Sequence, residues 1–256
     1  MLSNQKIALI TGATSGIGKA CATIYAQNGF DLIITGRRLE RLNELKNDLE
    51  SKHAIKVTTL NFDVRNKEEV SNNLENLAPE YKNVAVLINN AGLSLGLDSL
   101  QNGNLNDWET MIDTNIKGLL YVSKIVSNWM IKNKKGHIVN LGSIAGKEVY
   151  ANGNVYCATK HAVDALSKAM RIDLGAHHIK VTAVHPGAVE TEFSDIRFHG
   201  DKEKAKKIYE GYEPLVAQDI AETIYFTTSR PVHVNINDLV IMPIAQASAF
   251  YWNKDN

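Results

Sequence analysis

The chain has 256 residues, 44% of them apolar, with 28 basic and 28 acidic side chains for a formal net charge of zero. That size and apolar share suit one large α/β domain spanning 1–256, and the charge balance argues against general attraction to nucleic acid or an anionic membrane. No run approaches 18 apolar residues, and no separate secretion signal precedes the first strand-like segment, so a cytoplasmic protein is expected. Cys21 and Cys157 lack metal-ligand spacing, so no metal is expected, and Cys157, beside Tyr156, reads as a small packing residue before an alkylatable thiol.

In chain order, 6–10 is an apolar run with the length of a buried strand. Next comes TGATSGIG, residues 11–18, and then a helical stretch to about 28. A strand, a glycine-rich turn and a helix make a phosphate site, because bare backbone approaches closely and the helix N-terminus favours anions. Gly12, Gly16 and Gly18 are its glycines. The second strand, 31–35, ends at Gly36-Arg37-Arg38. An acidic residue there would hold the ribose hydroxyls of NAD, whereas two guanidinium forks suit a 2′-phosphate, so NADP is the expected cofactor. A charged helix follows over 39–52.

A third strand, 55–62, leads to Asp63-Val64, where a carboxylate can accept from an adenine amino group. A polar-faced helix covers 67–77, and the strand 84–88 runs into Asn89-Asn90-Ala91-Gly92. Small residues here let the backbone pass close to a flat ring. The long helix 107–132 carries Asn115 in its middle, a poor helix-interior residue unless its amide has a task, and a helix distortion there and a satisfied core amide are equal readings.

Residues 136–160 hold the densest chemistry. A buried strand over 137–141 delivers Ser143 to the end of the sheet, where open α/β folds place ligands. Tyr156 and Lys160 lie four apart, on one face of a helix that continues to about 176. A tyrosine of ordinary pKa, about 10, is a poor base near neutrality. A neighbouring ammonium favours the phenolate, and Ser143 can hydrogen-bond the same substrate oxygen.

A sixth strand over 179–185 ends at Pro186-Gly187, and Thr191 lies beyond it. Residues 190–213 are charged and poor in core residues, which predicts a loop or lid (187–214 overall) with a solvated short helix near 201–210. A helix over 215–228 and a strand over 239–242 complete the alternation, which implies a Rossmann-type doubly wound parallel sheet of about seven strands. The tail, 247–256, carries Phe250, Tyr251 and Trp252, aromatics suited to docking onto another surface, another subunit being one candidate.

TGATSGIG, NNAG, Ser143, YCATK and HPG together, in this order and at this spacing, resemble the short-chain dehydrogenase/reductase family over nearly the whole chain. The resemblance implies reversible hydride transfer at a nicotinamide. Tyr156 would be the acid/base, Lys160 would lower its pKa and hold the nicotinamide ribose, Ser143 would orient the substrate oxygen, and Asn115 would keep the relay water. It also implies cofactor contacts at Gly12, Thr14, Ser15, Gly16, Ile17, Gly18, Asp63, Val64, Asn90, Ala91, Gly92, Tyr156, Lys160, Pro186, Gly187, Val189 and Thr191, with Arg37 and Arg38 matching the NADP-preferring members.

TGRRLERLNELK, YANGNVYCATK, TEFSDIRFHGD and HVNINDLVIMP further resemble the NADP-dependent 3-hydroxy acid dehydrogenases of this family. That likeness implies L-allo-threonine, serine or 3-hydroxypropionate as substrate class, and a homotetramer. A substrate carboxylate needs a cation, and Arg197 is the candidate, with Lys147 and Asn152 behind it. Two other readings stand beside this one: a broad carbonyl or 3-oxoacyl reductase using NADPH, and a non-catalytic NADP-binding module.

Overall fold

The structure is a computed structural model and describes residues 6–254. Its centre is a parallel seven-stranded sheet in the order β3-β2-β1-β4-β5-β6-β9. The strands are β1 (Ile7–Ile10), β2 (Asp31–Gly36), β3 (Val57–Asn61), β4 (Val84–Asn89), β5 (Gly136–Leu141), β6 (Ile179–Pro186) and β9 (Asp238–Ile241). Alternate residues of a strand point to opposite faces. Thus Ala8 and Ile10 join a core with α1 (Gly16–Gln27), α2 (Leu39–Lys52) and α9 (Ala217–Thr228). Ile7 and Leu9 join the opposite core, with α3 (Lys67–Glu75), α5 (Leu119–Asn133) and α6 (Asn154–Gly175). Burial on both faces is why these strands read as unbroken apolar runs. Cys21 and Cys157 are both buried in apolar clusters as free thiols.

Strand order reverses between β1 and β4, and such a switch point opens a crevice at the strands' carboxyl ends. Thr11 closes the base of that crevice: its hydroxyl accepts from the backbone N–H groups of Asn90 and Ala91, each at 3.0 Å.

The distortion expected at Asn115 and the short helix expected near 201–210 are both present, while three element boundaries are revised. The helix expected over 107–132 is three pieces: α4 (Leu105–Ile112), a π-helical turn (Asp113–Gly118) and α5. Asn115 lies inside that turn, where the widened helix turns its amide inward. The segment 190–213 holds the expected short helix as α8 (Lys202–Lys207), and the part expected as loop is further ordered into β7 (Val189–Glu190) and α7 (Phe193–Arg197). The helix expected from 215 begins at Ala217, because β8 (Leu215–Val216) pairs with β7 instead.

In the tail, Phe250 and Tyr251 are exposed, while Trp252 packs on Tyr212 with ring centroids 4.8 Å apart. Among the described residues, no helix is long and apolar enough to cross a membrane.

Candidate active site

One cavity of about 410 Å³ runs across the carboxyl ends of the strands, from Arg37 and Arg38 at one end to Ser143, Tyr156 and Lys160 at the other. Of the residues singled out by sequence, Gly12, Thr14, Ser15, Gly16, Ile17, Asp63, Val64, Asn90, Ala91, Gly92, Pro186, Gly187, Val189 and Thr191 also line it. Gly18, Asn115 and Arg197 do not.

The glycines act by absence. Gly12 has a φ of +68°, and a Cβ there would stand 3.0 Å from Ala91 Cα. Gly18 lies behind the cavity wall, where a Cβ would meet the Gly12 carbonyl oxygen at 2.4 Å. It therefore seats α1 against the loop rather than facing the cavity. Ser15 precedes α1 without capping it by its side chain; its hydroxyl accepts from Arg38 at 2.8 Å instead. The first N–H groups of α1 thus have no side-chain cap, an arrangement that favours an anion.

Arg38 also donates to the Thr14 hydroxyl from Nε (3.1 Å) and Nη2 (2.8 Å). Arg37 stands 3.9 Å from the Asp63 carboxylate, and Arg65 donates to the same group at 2.7 Å. Burial works against its charge, but the Arg65 and Arg37 guanidinium groups hold Asp63 below the usual carboxylate range.

At the other end, Ser143, Tyr156 and Lys160 are each under 10% exposed. The Lys160 ammonium donates to the Leu141 carbonyl at 2.9 Å and lies 6.0 Å from the Tyr156 ring centroid. Burial lowers its pKa to about 8. Contrary to the expectation that Lys160 draws it down, the phenol is pushed up by burial and by Tyr150, opposed by Ser143 and the positive charge of Arg197, because desolvation outweighs the nearby cations. Asn115 is buried at the same end: its Oδ1 accepts from the Leu93 N–H (2.9 Å), and its Nδ2 donates to the Leu93 carbonyl (2.8 Å) and Thr159 (3.0 Å). All of that amide goes into anchoring the β4 loop to α6, beside Lys160.

Arg197 borders a narrow recess beside the main cavity, together with Asn152 and Tyr156. Its Nη2 donates to the Tyr150 hydroxyl at 2.9 Å, and its guanidinium lies 5.8 Å from the Tyr156 ring centroid. Lys147 is already engaged, donating to Asp164 (2.8 Å) and Asp238 (2.6 Å). That pairing removes it as the cation for a substrate acid.

Sequence reasoning missed several participants. His185 is fully buried, and its Nδ1 donates to the Ser143 backbone carbonyl at 3.2 Å, so the HPG stretch supports the serine from below. Asn89 donates to Ser123 and Asn140, and Asn140 donates to Ser167, tying β4, α5, β5 and α6 together beneath the site. Arg41 and Glu192 join the Arg37–Arg38 end, since Arg41 donates to Glu192 at 2.7 Å. The spacing of three between Arg38 and Arg41 was a usable signal; nothing local pointed to Glu192.

Comparison with known proteins decides the family, because the short chain dehydrogenase pattern matches residues 6–201. The chain belongs to the short-chain dehydrogenase family. It is an oxidoreductase. The NADP-dependent 3-hydroxy acid dehydrogenase YdfG of Salmonella typhi is 45% identical over 244 residues, 95% of this chain and 97% of that one. Sulfoacetaldehyde reductase 2 of Chromohalobacter salexigens is 44% identical over 97% of this chain and 99% of its own. Among solved structures, the closed form of a serine dehydrogenase complexed with NADP+ superposes with a TM-score of 0.90 at 43% identity, covering 98% of this chain and all (100%) of that one. For this short-chain dehydrogenase, then, the seven-stranded parallel sheet is that of its relatives.

Proposed function

We propose that this short-chain dehydrogenase interconverts small 3-hydroxy acids of the L-allo-threonine, serine and 3-hydroxypropionate class with their 3-oxo counterparts, using NADP and Tyr156 as the proton-transfer group. The observation that carries the reading is one cavity lined by Ser143, Tyr156 and Lys160 at one end and by Arg37 and Arg38 at the other. The residues fit NADP. Gly12 leaves room for close backbone approach, α1 lacks a side-chain cap, and two guanidinium groups stand where a ribose phosphate would lie.

When bound, the nicotinamide supplies the hydride acceptor or donor. In oxidation, the Tyr156 phenolate takes the substrate hydroxyl proton while Ser143 donates a hydrogen bond to the same oxygen. In reduction, the phenol returns that proton to the developing alkoxide. Lys160 places a positive charge beside the phenol, and Asn115 positions Lys160 through Leu93 and Thr159. Arg197 takes the substrate acid group, exchanging its bond to Tyr150 for one to the ligand. Residues 187–214 serve as the lid, with Phe193 and Ile196 contributing to the cavity wall. A homotetramer belongs to the same reading, supported by Leu120 on α5 and Ile172 on α6, apolar side chains that are exposed.

A second reading has its own support. The sulfoacetaldehyde reductase is about as similar as the hydroxy acid dehydrogenase, at 44% against 45% identity, and both relatives are named for small molecules bearing an acid group. Following NADPH absorbance with serine, L-allo-threonine, 3-hydroxypropionate, sulfoacetaldehyde and a neutral ketone decides between them. Turnover is expected with the hydroxy acids, and Arg197→Met should raise KM for acids about 10-fold more than for the ketone. Fastest turnover with sulfoacetaldehyde establishes the second reading, and equal KM changes for acids and ketone remove Arg197.

A further inference from the structure

Three side chains from the starts of two helices converge at the Arg37–Arg38 end of the cavity. Arg38 stands just before α2, Arg41 lies in its first turn, and Glu192 immediately precedes α7. The Glu192 carboxylate accepts from Arg38 Nη1 at 2.9 Å, and from Arg41 Nη1 at 2.7 and 3.1 Å. The remaining edge of the Arg38 fork is held by Thr14 and Ser15, which fixes the plane of the guanidinium. Two cations therefore share one anion, and that anion belongs to the segment that walls the substrate end, since Phe193 and Ile196 line the same cavity. Burial works against its charge, but the two arginines outweigh burial and keep Glu192 ionised.

A carboxylate bridging two guanidinium groups occupies the donors that a phosphate monoester would take. A dianion makes stronger charge-assisted bonds than a carboxylate in the same place, so it would displace the glutamate. Resting on the NADP reading above, we propose that Arg41 is a ligand of the cofactor's ribose 2′-phosphate, and that Glu192 holds this anion position until the phosphate displaces it. Glu192 is then a specificity determinant: its loss of two ion pairs opposes NADP binding, whereas a nucleotide without the phosphate leaves those pairs intact. Displacement also cuts the tie between α2 and the start of α7, so the substrate wall is released by the phosphorylated cofactor and not by its plain counterpart.

The test is calorimetric titration of the full chain and its variants with NADPH, NADH and 2′,5′-ADP. Arg41→Met should weaken NADPH and 2′,5′-ADP about 10-fold and leave NADH within about twofold. Arg41→Lys, which keeps the charge but not the fork, should recover part of the loss. Glu192→Gln should tighten NADPH and 2′,5′-ADP about threefold or more, with NADH unchanged. An unmoved NADPH affinity in Arg41→Met overturns the ligand assignment, and an unchanged or weaker one in Glu192→Gln overturns the displacement. Equal binding of NADPH and NADH by the unaltered chain overturns the cofactor reading and this proposal with it. A clear preference for NADPH with both variants unmoved overturns this proposal alone.

Discussion

The two ends of the cavity use similar polar groups in opposite surroundings. At the phosphate end the side chains of Arg37, Arg38, Arg41 and Glu192 are 57%, 40%, 45% and 42% exposed. At the proton-transfer end Ser143, Tyr156 and Lys160 are 9%, 8% and 6% exposed. Water screens the first set, so its ion pairs exchange partners at little net free energy. Desolvation displaces the titrations of the second set, lowering Lys160 to about 8 and raising the phenol. Under the proposed function, recognition would sit where charges are readily exchanged, and proton chemistry where they are held out of balance. Between the two ends, Asn90 Nδ2 donates to the Thr11 and Gly12 carbonyls, tying the loop after β4 to the glycine loop.

Removing the phenol hydroxyl should break the contrast most severely. Tyr156→Phe is expected to lower turnover by about 10²–10⁴-fold while leaving the NADPH dissociation constant within about twofold, measured by initial rates and titration. A comparable loss of NADPH affinity would mean that the two ends are not separable.

Lys160→Met should come next, because it removes a buried charge rather than an exposed one. Turnover should fall, yet the folded chain should gain about 1–3 kcal/mol at pH 7 in denaturant titration. The folded pKa of about 8 lies below the ordinary 10.5, so the unfolded chain binds more protons between those values. Stability of the unaltered chain should therefore rise as pH climbs from about 8 to 10.5, and the variant should lack that rise.

The smallest expected effect sharpens the exposed side. Raising ionic strength from about 0.05 to 0.5 M should weaken NADPH binding several-fold more than NADH binding, with kcat unchanged. Equal weakening of the two nucleotides would place the 2′-phosphate away from the arginines.

How much of this was legible depended on whether the signal was local. The buried strand β1, its glycine turn and α1 are contiguous in sequence, and burial on both faces writes itself as an apolar run. Tyr156 and Lys160 could be paired because four residues make about one helical turn. Asn115 stood out as a poor helix-interior residue, and both readings of it hold, a π turn and a satisfied buried amide, although its partners Leu93 and Thr159 were not readable. Lys147 looked available for a substrate because Asp164 and Asp238 lie far along the chain, in α6 and β9. Glu192 was invisible for the same reason, 154 residues from its partner Arg38.

The sequence by itself determined the parallel sheet, its glycine-lined crevice and the Ser143, Tyr156 and Lys160 set, because side-chain periodicity and backbone sterics act over a few neighbouring residues. Tertiary structure alone decided which charges neutralise one another. It paired Lys147 with Asp164 and Asp238, set His185 beneath Ser143, and brought Glu192 onto Arg38 and Arg41. Electrostatic partners are chosen by distance in space and by exclusion of water, and neither is encoded in any short stretch of chain.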